Sequence, residues 1–589
     1  MKRLLTTITL IFGCTAGMWA QSDGFETAAE AVKNMKVGWN LGNTLDSHTG
    51  YSGDDLRYWE TIWSQPITKP RLMTMMKNAG FNVVRVPVTW YPHMDEDGKV
   101  REDWMARVHD VVDYVINEGM YCLLNVHHDT GTTSGAWIKA DMDDYAKQKE
   151  RYEYLWKQIA EEFKDYDERL LFEGYNEMLD LYNSWNFASY KTPNGYDEEV
   201  ARSAYDAVNA YAQSFVNTVR ATGGNNLQRN LVCTIYCACE GTGSTWNKHL
   251  QDPAKEMVMP TDVVDNHLAV EMHYYRKLDD MEAVYKSVDL LMTNLKTLLA
   301  ERLGVPVIIG EWGPRNDNGD SYELERENLL LYADYLVKRA KENNFVTMYW
   351  MGMSNKFARM WPYFNQPELA KTVLKAFYGD DYEPVIPTID DYDYDYTEVT
   401  FTNKWGEFHV YKGDTLSVDD YVGVRVELKE AMTEGNVLQI RGYGNPASTS
   451  TMSATTFDAG EMEKTLMFDK EVMNGVLTRA VLVDKGEPEL VVKVKRAFLI
   501  KSDGTEIETE MSRRNSCLVT DIVAHLKEKE DTIDTQILMP SPDDEAFVRT
   551  QWYTLDGRRI SEKPSRQGVY VRLDANGLQG RQNRKVVVR

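Results

Sequence analysis

A chain of 589 residues exceeds one ordinary domain, and roughly two to four modules are expected. Its 43% hydrophobic and 11% aromatic content supplies large cores and excludes general disorder. With 66 basic and 91 acidic residues, the formal charge of −25 argues against nucleic acid or an anionic membrane as partner. A neutral substrate is expected.

The chain opens Met1-Lys2-Arg3, then an apolar run over 4–12 and small residues, the pattern of a secretory signal over 1–20 cut after Ala20. Gly13-Cys14 leaves a lipoprotein acylation site as the alternative, against which the bulky Phe12 speaks. No later stretch reaches the ~20 apolar residues that span a membrane. A secreted or cell-surface protein is expected. Without Cys14, the cysteines are Cys122, Cys233, Cys237, Cys239 and Cys517, an odd and scattered set that is no disulfide framework. Cys233, Cys237 and Cys239 fall on one face of a predicted strand, as small core residues or, alternatively, a metal site.

From 25 to 378 strand and helix patterns alternate. Strands are predicted over 36–43, 82–90, 121–129, 170–178, 230–238, 267–275, 306–313 and 345–352. Between them lie amphipathic helical patterns, such as 103–116 with Gly119 at the helix stop. Eight such units predict the α/β class and a closed (β/α)₈ barrel, since the Gly-rich phosphate turn of a doubly wound sheet does not follow the first strand.

Polar residues gather at one end of these strands: Arg85 on the second, His127 and His128 on the third, Asn176 and Glu177 on the fourth. His273 and Tyr275 end the sixth, Glu311 the seventh and Trp350 the eighth. Active sites of such barrels form at the C-terminal ends of the strands. A carboxylate closing an apolar strand costs stability unless something uses it. Two of them flanking one bond, Glu177 and Glu311, are what glycoside hydrolysis requires. Glu173, Glu240 and Glu271 read as supporting or structural acids. His127-His128-Asp129 invites a metal reading, but neighbours on a strand point to opposite faces, and no metal or cofactor is expected. Trp350 is expected as a stacking platform for a sugar face, with Trp39, Trp90, Trp137, Trp185 and Trp312 as candidates to extend it.

Gly38-Trp39-Asn40-Leu41-Gly42-Asn43-Thr44, Val84-Arg85, Asn125-Val126-His127-His128, Asn176-Glu177, His273-Tyr274-Tyr275 and Gly310-Glu311-Trp312 together resemble glycoside hydrolase family 5, a retaining endoglycanase family of clan A. The resemblance implies Glu177 as acid/base and Glu311 as nucleophile. It implies Asn40, Arg85, His127, His128, Asn176, His273, Tyr275 and Trp350 as substrate-binding or supporting residues. Met178 stands where many members carry Pro. The expected activity is an endo-β-1,4-glucanase acting on cellulose or mixed-linkage β-glucan, with no nucleic-acid partner and as a monomer. A mannanase, xyloglucanase or xylanase on the same barrel is the alternative, and an inactive glycan-binding protein the rival from another class.

Residues 379–398 are acidic and read as a solvated linker. Short strands separated by Gly, Asp and Ser turns predict a β-sandwich over 399–510, with Trp405, Tyr411, Tyr421 and Tyr443 as candidate stacking residues for sugar binding. Residues 511–589 resemble the C-terminal sorting modules of secreted Bacteroidetes proteins, which implies outer-membrane secretion machinery as a partner.

Overall fold

Eight short strands form a closed parallel barrel in the computed structural model. They are β1 Gly38–Asn40, β2 Val83–Val86, β3 Tyr121–Asn125, β4 Leu170–Glu173, β5 Leu231–Thr234, β6 Leu268–Arg276, β7 Val307–Pro314 and β8 Val346–Tyr349. The structure describes residues 24–48, 53–239, 247–315, 326–486, 488–511 and 517–527, and four strands beyond 548. The expected signal over 1–20 and Glu240 lie outside them.

Each strand is buried on both faces, so its sequence is almost wholly apolar. Parity then sorts the side chains. Val83, Leu123, Leu171, Val232, Ala269 and Ile308 face inward at the lower end, where Ala28, Ala31 and Val32 of the helix Ala28–Asn34 pack against them. Trp39, Val84, Cys122, Leu124 and Phe172 pack outward among the surrounding helices. Two residues above the apolar layer the same inward parity brings Asn40, Arg85, Asn125, Glu173, Thr234 and Glu271, all fully buried. A polar storey therefore sits on an apolar one inside the barrel.

The third, fourth and fifth strands end sooner than the sequence predicts, because the chain turns outward to build the mouth. β3 stops at Asn125 and β4 at Glu173. Beyond β5 the chain turns through Tyr236–Ala238, with Cys237 at φ 45°. The expected single strand face carrying Cys233, Cys237 and Cys239 is therefore absent, and all five described cysteines are unpaired.

The expected linker ends early. Strand β9 runs over Tyr392–Phe401, where Tyr392, Tyr394 and Tyr396 alternate with Asp393 and Asp395. Strands β10 Glu407–Ser417, β11 Tyr421–Leu428, β12 Leu438–Tyr443, β13 Met452–Thr456, β14 Glu463–Met467, β15 Val476–Asp484, β16 Leu490–Lys501, β17 Glu506–Glu508 and β18 Leu518–Leu526 follow. One sheet has the order β10-β15-β12-β13 and the other β14-β11-β16-β9-β18, with β17 on β16. Strand β18 carries this module past the predicted end at 510. The sheets enclose their own core around Val399, Phe408, Val424, Ile440 and Leu482. Trp405 is exposed beneath the cations of Arg441 and Lys485, whereas Tyr443 is buried and cannot stack on a ligand.

Barrel and sandwich are joined directly. Tyr58 Oη lies 2.7 Å from Thr402 Oγ1, Arg57 donates to Glu489 at 2.9 and 3.0 Å, and Arg71 pairs with Asp521. Residues 528–589 form a separate unit, in which Arg549–Thr554, Arg559–Ile560, Gly568–Asn576 and Gln579–Val588 make an antiparallel sheet. No helix among the described residues is long and apolar enough to cross a membrane.

Candidate active site

Arg85 organises the polar storey. Its Nε and Nη2 donate to the two oxygens of Glu173 at 2.7 Å each, and Nη1 donates to Glu311 Oε1 at 2.6 Å. Nη1 also reaches Asn40 Oδ1 at 3.1 Å and Nη2 reaches Asn176 Oδ1 at 2.7 Å. A guanidinium has five N–H donors, and all are used. Asn40 is held in turn, its Nδ2 donating to the carbonyls of Gly310, Met348 and Tyr349 at 2.8–3.3 Å. Because Asn176 Oδ1 accepts from Arg85, its Nδ2 is the polar atom left to meet a ligand hydroxyl.

Two acids, Glu177 and Glu311, share the mouth above with the His273 imidazole, and Glu271 lies beneath them. Tyr275 Oη donates to Glu311 Oε2 at 2.7 Å, so Glu311 is gripped by a different donor at each oxygen. His273 Nδ1 lies 2.9 Å from Glu177 Oε1 and 3.5 Å from Glu311 Oε2, while its Nε2 lies 2.8 Å from Glu271. Burial alone would lower the His273 pKa, but Glu271, Glu311 and Glu177 raise it well above the ordinary value. The surrounding carboxylates thus favour the imidazolium form of His273. Burial raises the pKa of Glu177, with the neighbouring Glu311 charge adding to it and His273 opposing. Burial would also raise Glu271, but the His273 cation and Arg85 outweigh it and hold Glu271 ionised. Oxygens of Glu177 and Glu311 lie within 4.8 Å of each other. Gly310 on β7 is where Glu271 crosses, since a Cβ there would overlap the Glu271 carboxylate.

The opposite rim is aromatic. Trp350 stacks on His127 at 5.8 Å between centroids and 6° between planes. Its indole lies over Gly42, where a Cβ would come within 2.8 Å of the ring. His127 and His128 lie 4.4 Å apart, past the end of β3, so strand alternation does not separate them as the sequence reading assumed. Donor atoms of Asp46, His127 and His128 come within 4.8 Å of one another, the spacing of a metal site. The chemistry does not fit an ion. Asn125 Nδ2 donates to His127 Nδ1, with the amide orientation set by the Val88 N–H on Asn125 Oδ1, so His127 carries its hydrogen on Nε2 and offers no lone pair there. The Asp46 oxygens already accept from the Asn43 and Thr44 N–H groups. Burial also pushes the Asp46 carboxyl up to about 6, which disfavours the charged form an ion would need.

Glu177, Glu311, His127, His273, Asn176, Tyr275 and Trp350 therefore converge on one mouth. Arg85 and Asn40 are wholly buried beneath the carboxylates, so of the two expected roles, substrate-binding or supporting, theirs is to position other side chains. Trp39, Trp90 and Trp312 are likewise buried and cannot extend a sugar platform. Sequence reasoning missed Asn125, which sets the His127 tautomer, and Trp63, which packs edge-on against His48 at 4.8 Å and His128 at 5.4 Å. Asn125 was visible as a polar residue in an apolar strand, whereas Trp63 lies in a loop with no strand pattern to mark it.

Comparisons with known proteins agree with this geometry. Residues 45–356 match the family described as Cellulase (glycosyl hydrolase family 5). Endoglucanase A of Clostridium longisporum is 32% identical over 370 residues, which are 59% of this chain, and the chain spans 66% of that relative's length. A broad-specificity GH5-4 endoglucanase from an uncultured bacterium superimposes at TM-score 0.59 with 49% identity, covering 60% of this chain and 97% of that one. A family 5 enzyme from Prevotella bryantii B14, solved as a mutant in complex with a xyloglucan tetradecasaccharide, gives TM-score 0.52 and 39% identity over 60% of this chain and 99% of that one. With a closed parallel barrel, a carboxylate pair at its mouth and a family match across more than half its length, this chain belongs to glycosyl hydrolase family 5.

Proposed function

We propose that the protein is a secreted, retaining endo-β-1,4-glucanase. The observation that carries this is the close pairing of Glu177 and Glu311, whose oxygens lie within 4.8 Å. Retaining pairs are spaced about 5–5.5 Å between carboxyl groups and inverting pairs about 6.5–9.5 Å, to admit a water. The close approach of the two carboxylates supports the retaining assignment.

Glu311, oriented by Arg85 and Tyr275, attacks the anomeric carbon while Glu177 gives its proton to the leaving oxygen. The bond to the leaving sugar breaks and a glycosyl ester to Glu311 forms. Glu177, now a carboxylate, takes a proton from water, which attacks the same carbon and frees Glu311. Asn176 Nδ2 donates to the sugar 2-hydroxyl, a contact that tightens as positive charge grows on the ring. His127 Nε2–H donates to a second hydroxyl, and Trp350 offers its face to the sugar C–H groups. The expected substrate is cellulose or mixed-linkage β-glucan. The Prevotella bryantii enzyme's complex with xyloglucan favours a second reading, in which the chain accepts a decorated β-glucan. Secretion rests on the pattern over 1–20, and surface attachment on the C-terminal resemblance.

Reducing-sugar release from soluble β-glucan, xyloglucan, glucomannan and xylan tests the activity. Release is expected from the first, and silence on all four overturns the reading. The pH profile tests the mouth electrostatics. Glu177 must be protonated to act as acid, so kcat/KM falls as pH rises through its raised pKa. The His273 cation holds that pKa down, so His273→Ala should move the alkaline limb to higher pH, alongside a lower maximum. A limb that stays put or moves to lower pH means that His273 carries no charge there.

A further inference from the structure

The loop after β1 serves two surfaces. Trp63 turns toward the mouth, where Trp350, His127, His128 and Trp63 form a chain of rings with successive centroids 5.8, 4.4 and 5.4 Å apart. The residues on either side of Trp63 line a cleft of about 620 Å³ between barrel and sandwich. Tyr58, Gln65 and Phe357 stand on the barrel wall of this cleft, and Glu407, Lys412 and Arg479 on the sandwich wall. Both loops of the barrel wall, after β1 and after β8, spring from C-terminal strand ends, the face that carries the catalytic mouth.

The cleft is built, not a loose seam. Lys356 N–H donates to Gln65 Oε1 at 2.9 Å, and Gln65 Nε2 donates to Asn355 Oδ1 at 2.5 Å, locking the two loops together. Ser64 and Lys356, at φ 66° and 54°, are non-glycine residues held in the left-handed region. Such strain persists only where the surroundings over-determine it, and it concentrates at functional loops. Opposite them, the sandwich is fixed by the Tyr58–Thr402 and Arg57–Glu489 contacts. Arg479 donates to Glu407 at 3.2 Å and lies over the Tyr443 ring, yet its Nε is buried without an acceptor among the described residues. The volume falls within the range of about 300–1,000 Å³ typical of small-molecule pockets. Aromatic faces beside amide, carboxylate and cationic groups match a sugar ring, which offers C–H faces above and below and hydroxyls around its edge.

We infer that the barrel–sandwich cleft is a distal subsite that binds a stretch of the same β-glycan chain several sugars away from the cleaved bond. The inference rests on the glucanase reading for the identity of the glycan. The sandwich then acts as part of the substrate groove, holding long chains against the mouth and leaving short ones unaffected.

The test uses the full chain with two separate readouts. Binding is measured in the Glu311→Ala protein as retarded migration in gels containing soluble mixed-linkage β-glucan. Lys412→Ala with Arg479→Ala should weaken it about 5-fold, the loss of a few hydrogen-bonding contacts. In the active protein, the same pair should raise KM for the polymer and leave kcat/KM for an aryl cellobioside unchanged. Unchanged gel migration overturns the inference, and so does an equal loss on polymer and aryl cellobioside, which marks a structural role. If the double variant melts early, Lys412→Ala alone, at an exposed residue, carries the same comparison with about a 2-fold expected effect. Silence of the active protein on every polysaccharide would strike at the glucanase reading, while the gel readout still decides the cleft.

Discussion

Glu311→Ala is expected to lower kcat on soluble β-glucan by at least about 10⁴-fold, because no other group can form the glycosyl ester. The geometry leaves no substitute. Glu177 is engaged by His273, and Glu173 and Glu271 lie wholly buried beneath the mouth. Glu177→Ala should behave differently, losing on the order of 10²–10⁴-fold on substrates with poor leaving groups. With an activated aryl glycoside the first step is partly spared and the second is slow. Azide should then rescue Glu177→Ala to a β-glycosyl azide, whereas any product rescued from Glu311→Ala should be the α-azide. The two variants are told apart by the anomer each yields, a readout that general misfolding would not produce.

Arg85→Met should destabilise the barrel by about 3–5 kcal/mol, the cost of removing one partner from a buried ion-pair network. Its volume is nearly kept, but Glu173 loses both bonds from Arg85 and Glu311 loses one. Glu173 retains the Asn125 amide at 2.9 Å, and Glu311 retains Tyr275. A lower denaturation midpoint, with an unchanged midpoint for a surface control such as Lys286→Met, checks this. The same variant should lose activity more steeply than stability, because Asn176 and Glu311 each lose the bond from Arg85 that orients them. A midpoint equal to that of the parent would mean that the buried network is already offset by its desolvation cost.

The barrel and its mouth were legible because an acid at the end of an apolar strand is conspicuous. Glu177 and Glu311 needed only that signal. The depth of each residue needed the strand parity as well. Asn40 and Arg85 face inward below the mouth, and Trp39 and Trp312, one residue from inward-facing Asn40 and Glu311, must then pack outward. That parity is written in the sequence. Strand ends were a harder matter, since His127 and His128 continue a pattern whose backbone has already left the sheet. The acidic stretch at 392–396 misled by composition, although its alternation of Tyr and Asp has the period of a strand. Contacts between Arg57 and Glu489, or Tyr58 and Thr402, join positions hundreds of residues apart and have no local signature.

Mass spectrometry of the intact protein after brief exposure to a 2-deoxy-2-fluoro-β-cellobiosyl fluoride tests the double displacement most directly. The fluoride leaves without acid help, and the 2-fluorine slows hydrolysis of the ester by destabilising positive charge at the anomeric carbon. The account predicts one added fluorocellobiosyl mass per chain, mapped by peptide digestion to the segment of β7 that carries Glu311, and lost activity in proportion to labelling. No adduct, or an adduct on Glu177 with Glu311 unmodified, would contradict it.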